Sequence, residues 1–402
     1  MHAQRGRGGG AAPRAQRRPG GRAGREDARV KTFFRGAVHG LPGADGVLTD
    51  GAVIAWAGQG SPPQRPDEEI VLADGELLAP GFIDLQVNGF GGRDAAEGRD
   101  AIAAISAALP ATGVTAFLPT LISSPVAAGA EFAGAVATAE ALGARVLGAH
   151  IEGPFINPSF RGAHDRNLLA APTAEQVEVI ARARPRLVTL APELPGALEA
   201  IARLRRQGVV VSAGHTGADF EQGRKAIDAG VRFGTHIFNA MPPVHHRRPG
   251  IALALMLDRR VTVGLIADGE HVHPAVIREL MAVKGGTRIA MTTDQTAAAG
   301  AGVGTFSLSG RKVVSDGTVV RLEDGTLAGS ASTMEDLVRR SVAIPGMGVA
   351  RVVSMASAVP ARVLGEKLLG RIGEGACADL VVLDREHRVR LTMVAGRVRF
   401  RR

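Results

Sequence analysis

The feature that most restricts the fold is a repeated alternation of strand-like and helix-like segments in the middle of the chain. Short apolar runs are separated by amphipathic or alanine-rich stretches such as 173–184, which opens with the capping-box pattern of Thr173 and Gln176. The strand-like runs are 80–87, 114–120, 145–152, 187–193, 209–215, 233–238, 261–267 and 288–294. Eight βα units in series close most simply into a (β/α)8 TIM-like barrel. An open doubly wound sheet is the alternative, but the first βα turn lacks a glycine-rich phosphate-binding pattern.

Both ends of the chain show a different pattern. Residues 30–78 contain short apolar pieces between turn signals, which indicates antiparallel β-structure, and a similar pattern returns in 370–402. We expect the two ends to form one small β-sandwich domain, with the catalytic barrel of 79–369 inserted between them.

The N-terminal segment is strongly basic. Residues 1–31 carry nine Arg and Lys residues against Glu26 and Asp27, while the whole chain has a net charge of +9. The segment lacks apolar periodicity, so residues 1–29 are predicted to be a disordered basic extension. An arginine-rich, acid-poor segment also fits a transit peptide or a nucleic-acid arm, but no aromatic residue interleaves its charges, and we expect no nucleic-acid partner.

Two further absences bear on the compartment. No run of about 20 apolar residues occurs, so we expect no membrane span. The one cysteine, Cys377, excludes an intramolecular disulfide and suits a reducing environment, so the predicted location is the cytoplasm.

Polar side chains end most of the predicted strands. They are Gln86 and Asn88 on the first strand, Glu152 on the third, His215 on the fifth, His236 on the sixth, Asp268 on the seventh and Asp294 on the eighth. In a (β/α)8 barrel these ends meet at one face, where functional groups lie. One Glu and two His residues without competing cysteines fit a single divalent cation with a fourth position left for water.

Each of these residues also has a purely structural interpretation. Backbone N–H groups could satisfy Glu152 at a strand end, and Asp268 with His271 could cap the following helix. Asn88 could shape the glycine-rich turn after it. The metal site is therefore predicted from the whole set of strand ends and not from any single residue.

The predicted site has the groups needed for amide hydrolysis. A cation in an open site lowers the pKa of bound water and polarises a carbonyl group. By its position, Asp294 could accept a proton from that water and deliver it to a leaving amine.

Several motifs, found in order after the basic extension, carry a resemblance to a known family. They are PGFIDLQVNG at 80–89, HIEGPF at 150–155, GHT at 214–216, THIFNAM at 235–241, DGEH at 268–271 and LAGS at 327–330. Together they resemble the N-acetylglucosamine-6-phosphate deacetylases of the amidohydrolase superfamily.

The resemblance implies a role for each matching residue. Glu152, His215 and His236 would bind the metal, Asp294 would be general base and then general acid, and His164 would polarise the acetyl carbonyl. The residues that would bind the sugar phosphate are His164, Asn239, Ala240, Arg247, His271 and Leu327. The resemblance also implies a homodimer in which Arg247 reaches the neighbouring site, with Arg248 as the alternative.

The chain departs from the family pattern at two places. Gln295 follows Asp294 where the family usually has a small residue, which predicts a changed pocket. Gln86 and Asn88 replace the His-x-His of many amidohydrolases, and neutral amides bind transition metals weakly. We therefore expect one divalent ion per chain, most simply zinc.

The leading functional hypothesis is hydrolysis of N-acetyl-D-glucosamine 6-phosphate to D-glucosamine 6-phosphate and acetate. The same chemistry on N-acetylgalactosamine 6-phosphate is the nearest alternative, followed by hydrolysis of a cyclic ureide or an N-acyl amino acid. A non-catalytic, metal-bound scaffold is a third hypothesis, against which the presence of Asp294 argues.

Overall fold

The computed structural model describes residues 29–402, and its centre is a parallel sheet that curves into a barrel. The predicted strands follow one another around it in chain order. Their bounds are Phe82–Val87, Val114–Leu121, His150–Glu152, Leu187–Leu190, Val210–Ala213, Phe233–Gly234, Thr262–Leu265 and Ile289–Met291. The predicted (β/α)8 barrel is confirmed.

Helices follow the strands and bury their apolar faces against the barrel. The α-helices are Arg99–Ala108, Val126–Thr138, Ala174–Ala183, Ala197–Arg206, Phe220–Ala229, Gly250–Leu257, Pro274–Lys284, Met334–Val342, Val349–Ala356 and Ala358–Leu364. Short 3-10 helices span Ala95–Glu97, Leu109–Thr112, Pro158–Phe160, Arg166–Leu168 and Gly286–Arg288. Within residues 29–402, none of the helices combines the length and apolarity needed to cross a bilayer.

The third predicted strand is divided into two pieces. Arg145–Val146 and His150–Glu152 both pair with the second barrel strand, and the register moves by one residue between them. Gly148 lies in this interruption at φ 126°, a conformation that L side chains rarely adopt. Because side chains alternate between the two faces of a strand, this shift determines which face of the sheet Glu152 points to.

The seam between the first and eighth strands depends on a buried side chain. No ladder joins Phe82–Val87 to Ile289–Met291 in the described chain, although Val87 and Gln295 form one bridge. Instead, Asp84 accepts hydrogen bonds from the Thr292 hydroxyl at 3.1 Å and from the Thr293 N–H and hydroxyl at 3.2 and 2.6 Å. Burial raises the pKa of Asp84 to about 6. No sequence motif predicted this role for Asp84.

Strands from both chain ends form two further sheets. One contains Ala37–Val38, Leu77–Pro80, Leu380–Leu383, Val389–Val394 and Arg397–Arg401, and the other contains Lys31–Arg35, Gly46–Asp50, Val53–Gly58 and Glu68–Val71. Leu77–Pro80 pairs antiparallel with Leu380–Leu383, so the two chain ends share one sheet, as expected of the small β domain. The exact domain limits remain predictions, and the predicted disordered extension lies outside the described residues except for Arg29.

An antiparallel sheet follows the eighth barrel strand. Its strands are Val303–Leu308, Arg311–Asp316, Val319–Arg321 and Leu327–Ser330. A two-stranded ribbon, Gly89–Phe90 with Arg93–Asp94, follows the first barrel strand. Leu308 and Leu327 line the cavity at the barrel mouth, so the antiparallel sheet contributes one wall of the site.

The role of Asp84 generates a stability prediction. Asp84→Ala leaves the buried donors of Thr292 and Thr293 without an acceptor, so the free energy of unfolding should fall by about 3 kcal/mol. Urea denaturation measures this change. Asp67, an exposed carboxylate that accepts one backbone N–H from Lys31, is the control, and Asp67→Ala should cost less than about 1 kcal/mol. Equal losses of unfolding free energy in the two variants would refute the role of Asp84 in joining the first and eighth strands.

Candidate metal centre and active site

The carboxyl ends of the barrel strands open into one cavity of about 320 Å³. The predicted site residues that line it are Glu152, His164, His215, His236, Asn239, Ala240, His271, Asp294 and Leu327. Arg247 is the predicted site residue that does not. The barrel thus brings together side chains from four strand ends and from the loops between them.

Three donor atoms in the cavity form a small triangle. Glu152 Oε1 lies 3.2 Å from His215 Nε2 and 3.1 Å from His236 Nε2, and the two Nε2 atoms are 3.1 Å apart. Ligands about 2.0–2.1 Å from a tetrahedral zinc ion are themselves about 3.3 Å apart. The spacing of these buried donors therefore fits one face of a small cation's coordination shell.

Neighbouring groups orient two of these donors. Gln86 Nε2 donates to Glu152 Oε2 at 3.0 Å. The Phe160 carbonyl lies 3.0 Å from His215 Nδ1, so Nδ1 carries the proton and the Nε2 lone pair faces Glu152. His236 Nδ1 is buried without a hydrogen-bond partner among the described residues. Burial opposes ionisation of Glu152, but the neighbouring His215 and His236 hold its pKa well below the usual range.

His164 lies beside the triangle, and it presents an N–H group where the other two histidines present Nε2 lone pairs. Its Nδ1 accepts the Ser123 N–H at 3.1 Å, so a neutral ring carries its proton on Nε2. Burial, followed by the nearby His215, lowers the pKa of His164 well below its usual range, which favours the neutral ring. The Nε2 atom lies 3.9 Å from Glu152 Oε2.

A second combination of ligands involves His164. Donor atoms of Glu152, His164 and His215 lie within 4.8 Å of one another and could also hold a metal ion. The two combinations share Glu152 and His215 and differ only in whether His236 or His164 completes them. The shorter distances belong to the combination with His236.

Asp294 also lines the cavity, and its backbone has a left-handed conformation with φ 50°. Its Oδ1 accepts a hydrogen bond from Asn88 Nδ2 at 2.7 Å. Burial, followed by the negative charge of Glu152, raises the pKa of Asp294 above its usual range. Gly329 passes so close that a Cβ atom there would lie 2.6 Å from the Asp294 carbonyl oxygen. Only glycine therefore fits at position 329.

The imidazole of His271 is fixed from outside the cavity. Its Nδ1 lies 2.7 Å from Asp268 Oδ2, while Asp268 Oδ1 accepts the N–H groups of Glu270 and His271 at 3.0 and 2.8 Å. Nε2 is therefore the ring atom of His271 left for a ligand. Asp268 therefore stabilises this turn and orients the ring. The following helix, Pro274–Lys284, is capped by His273, so the alternative role of Asp268 and His271 as its cap is wrong.

The cavity contains no cationic side chain of the Arg or Lys type among the described residues that line it. Arg247 is exposed and lies in a separate depression with Asp219, Glu221 and Pro243. The structure of one chain therefore does not bring Arg247 to the other predicted substrate-binding residues.

Gln295 is fully buried but does not line the cavity, although the sequence had suggested a changed pocket there. Neither polar atom of its side chain has a partner among the described residues. Sequence reasoning also missed Ser123 and Phe160, which hold His164 and His215. Phe160 acts through its backbone carbonyl, which every residue possesses, and Ser123 acts through both its N–H and its hydroxyl, which lies 2.7 Å from His164 Nδ1. Neither contact can be recognised until the loops are known to lie beside the two rings.

Comparisons with known proteins identify the family of this chain. The sequence profile described as "Amidohydrolase family" matches residues 77–399. The chain is 37% identical to an N-acetylgalactosamine-6-phosphate deacetylase of Escherichia coli O157:H7 over 333 residues, which are 81% of this chain and 88% of that protein. It is 38% identical to the N-acetylglucosamine-6-phosphate deacetylase of Bos taurus over 342 residues, which are 80% of this chain and 83% of that protein.

A solved structure is similar over nearly the whole described chain. It is a mutant N-acetyl-D-glucosamine-6-phosphate deacetylase from Mycobacterium smegmatis in complex with N-acetyl-D-glucosamine-6-phosphate, with a TM-score of 0.85 and 34% identity. The match covers 92% of this chain and 99% of that chain. The barrel, the converging strand ends and these matches show that the chain belongs to the amidohydrolase family.

Proposed function

We propose that this chain hydrolyses the acetamide group of N-acetyl-D-glucosamine 6-phosphate to give D-glucosamine 6-phosphate and acetate, a step of amino-sugar catabolism. The observation that carries the proposal is the convergence of Glu152, His215 and His236 within 3.2 Å beside Asp294. Relatives named as deacetylases of N-acetylhexosamine 6-phosphates, at 37–38% identity, support the substrate class. The single cysteine is compatible with the proposed cytoplasmic location.

The proposed metal ligands are Glu152, His215 and His236, and the proposed ion is one zinc per chain. Such an ion supplies a Lewis acid for the carbonyl oxygen and lowers the pKa of water. His236 is favoured over His164 as the third ligand because the Ser123 N–H occupies Nδ1 of His164, so its Nε2 carries a proton. The neutral amides of Gln86 and Asn88 support a single ion.

Asp294 and His164 divide the remaining chemistry. Asn88 occupies Oδ1 of Asp294, which leaves Oδ2 to accept a proton from the attacking water. The water oxygen adds to the acetyl carbon, and the Nε2–H of His164 donates to the carbonyl oxygen as negative charge develops there. Asp294 then delivers its proton to the amine nitrogen as the C–N bond breaks, which releases the amino sugar and acetate.

The phosphate end of the substrate is proposed to lie against Asn239, Ala240 and His271, with Leu327 contacting the sugar. A phosphate dianion is normally matched by a guanidinium group. Because the described cavity lining has no Arg or Lys, we propose that Arg247 of the second chain in a homodimer supplies this charge. The exposed position of Arg247 in its own chain supports this arrangement.

The 4-epimer is a second candidate substrate, because one relative at 37% identity is an N-acetylgalactosamine-6-phosphate deacetylase. Acetate release should therefore be measured with both phosphorylated epimers and with free N-acetylglucosamine. We expect the highest kcat/KM for N-acetylglucosamine 6-phosphate and little turnover of the free sugar. A preference for the galacto epimer would select the second candidate, and equal use of free and phosphorylated sugars would refute both.

The role of Asp294 predicts that Asp294→Asn loses chemistry but keeps metal. An amide cannot accept the proton from water, so kcat should fall by about a thousandfold or more. Elemental analysis should find one ion per chain in both the wild type and the variant, since the three ligands are unchanged. Asp384→Asn is the control, because Asp384 holds a turn after a strand of the small sheet, away from the cavity. A near-normal rate in Asp294→Asn would remove this residue from the mechanism, and two tightly bound ions would refute the single-ion site.

The role of Arg247 predicts a loss that is specific to the phosphate. Arg247→Ala should raise KM far more for the phosphorylated sugar than for the free sugar, because only the phosphate makes the charge-assisted contact. The neighbouring exposed residue provides the matched variant Arg248→Ala, which should have little effect.

Mixing two chains tests whether Arg247 acts between subunits. Refolding Arg247→Ala chains together with Asp294→Asn chains should restore activity at low phosphosugar concentration, because one site of each hybrid dimer then has both residues. Failure of the mixture to exceed the two separate variants, once hybrids are shown to form, would contradict action across a dimer.

A further inference from the structure

Glu193 is a half-buried carboxylate that follows the fourth barrel strand, Leu187–Leu190. It accepts hydrogen bonds from two different loops. Asn157 Nδ2 and the Gly217 N–H donate to Oε1 at 2.8 and 2.6 Å, and the Thr216 hydroxyl donates to Oε2 at 2.5 Å. Neither the deacetylation chemistry nor the cavity lining uses this carboxylate.

Both of these loops hold His215. On one side, Thr216 and Gly217 follow His215 directly in the chain. On the other, the Asn157 N–H donates to the His215 carbonyl at 2.9 Å, and Asn157 Oδ1 accepts the Ser159 N–H at 2.8 Å. Asn157 thereby caps the 3-10 helix Pro158–Phe160.

The last residue of this short helix completes a ring of contacts. The Phe160 carbonyl accepts the Nδ1–H of His215 at 3.0 Å. The ring therefore runs from Glu193 through Asn157 and Phe160 to the imidazole of His215, and returns through Thr216 to Glu193. Glu193 is its one charged member, and it connects the two halves.

The backbone of His215 requires such support. Its φ is 50°, in the left-handed region that residues other than glycine seldom occupy, although histidine enters it more often than most. A conformation of this kind costs about 1–3 kcal/mol and persists only where surrounding contacts hold it. The contacts of Glu193 with Thr216 and Gly217 act on the peptide groups directly after this residue.

We propose that Glu193 is a positioning residue for metal binding, which holds His215 so that its Nε2 faces Glu152 and His236. The proposal rests on His215 being a metal ligand, as in the proposed function. Partners that orient ligating histidines typically contribute 10- to 100-fold in metal affinity. Glu193 does not bond to the imidazole of His215. It contacts Thr216 and Gly217, which follow His215, and it contacts Asn157, whose N–H binds the His215 carbonyl.

The test measures zinc affinity by competition with a chromophoric chelator, so it needs no substrate. Glu193→Ala and Asn157→Ala should each weaken zinc binding by about 10- to 100-fold. The double variant should bind zinc about as tightly as the more strongly affected single variant, because both residues act through the same ring of contacts. Glu193→Gln should bind more tightly than Glu193→Ala, since its side-chain oxygen can still accept from Asn157 and Gly217. The absorption spectrum of the cobalt-substituted Glu193→Ala protein should also differ from that of the wild type.

A matched control separates positioning from general stability. Glu335 is another half-buried glutamate, which accepts the Val389 N–H at 3.0 Å and lies outside the cavity lining. Glu335→Ala should lower the melting temperature without changing zinc affinity. If Glu193→Ala fails to fold, the Glu193→Gln and Asn157→Ala variants still provide the comparison.

Each outcome is decisive for the proposal. Zinc affinity that is unchanged in Glu193→Ala and Asn157→Ala, or equally reduced in Glu335→Ala, would overturn the positioning role even if deacetylation is observed. Weakened zinc binding in a protein that releases no acetate would instead support the positioning role and refute the proposed activity. A wild-type protein that binds no zinc or cobalt would refute both.

Discussion

The site depends on one costly arrangement, a carboxylate and two imidazoles held within 3.2 Å of one another in the interior of the barrel mouth. A buried carboxylate requires compensation by hydrogen bonds or a cation. The Gln86 amide supplies one such hydrogen bond to Glu152. The proton of His215 is held on Nδ1, so the Nε2 lone pair is left to bind an ion. Parallel strands make this arrangement possible because all of their carboxyl ends meet at the same face.

Much of the fold and most of the site could be predicted from sequence because both rest on local patterns. Each barrel strand is an apolar run, and the polar residue that ends it, such as Glu152 or His236, is visible as a break in that run. The seam at Asp84 could not be seen this way, because a carboxylate inside an apolar run acquires meaning only when Thr292 and Thr293 are known to lie beside it. The interruption of the third strand at Gly148 depends likewise on pairing with the second strand.

The limits of prediction at the site have similar causes. Phe160 orients His215 through its backbone carbonyl, which carries no side-chain signature. Ser123 orients His164 through its N–H and its hydroxyl, but it lies far from His164 in the sequence. Arg247 was predicted from the resemblance alone. It is exposed within its own chain, so its proposed role requires a second chain. Glu193 connects loops that are distant in sequence, so its importance appears only from the ring of contacts around His215.

The proposed deacetylation depends on one ion that Glu152, His215 and His236 bind together. Anomalous diffraction at the zinc absorption edge, from crystals of the zinc-loaded protein, tests it most directly. We expect one peak per chain, about 2.0–2.2 Å from Glu152 Oε1 and from the Nε2 atoms of His215 and His236. A peak coordinated by His164 in place of His236, or the absence of any peak in this cavity, would contradict it.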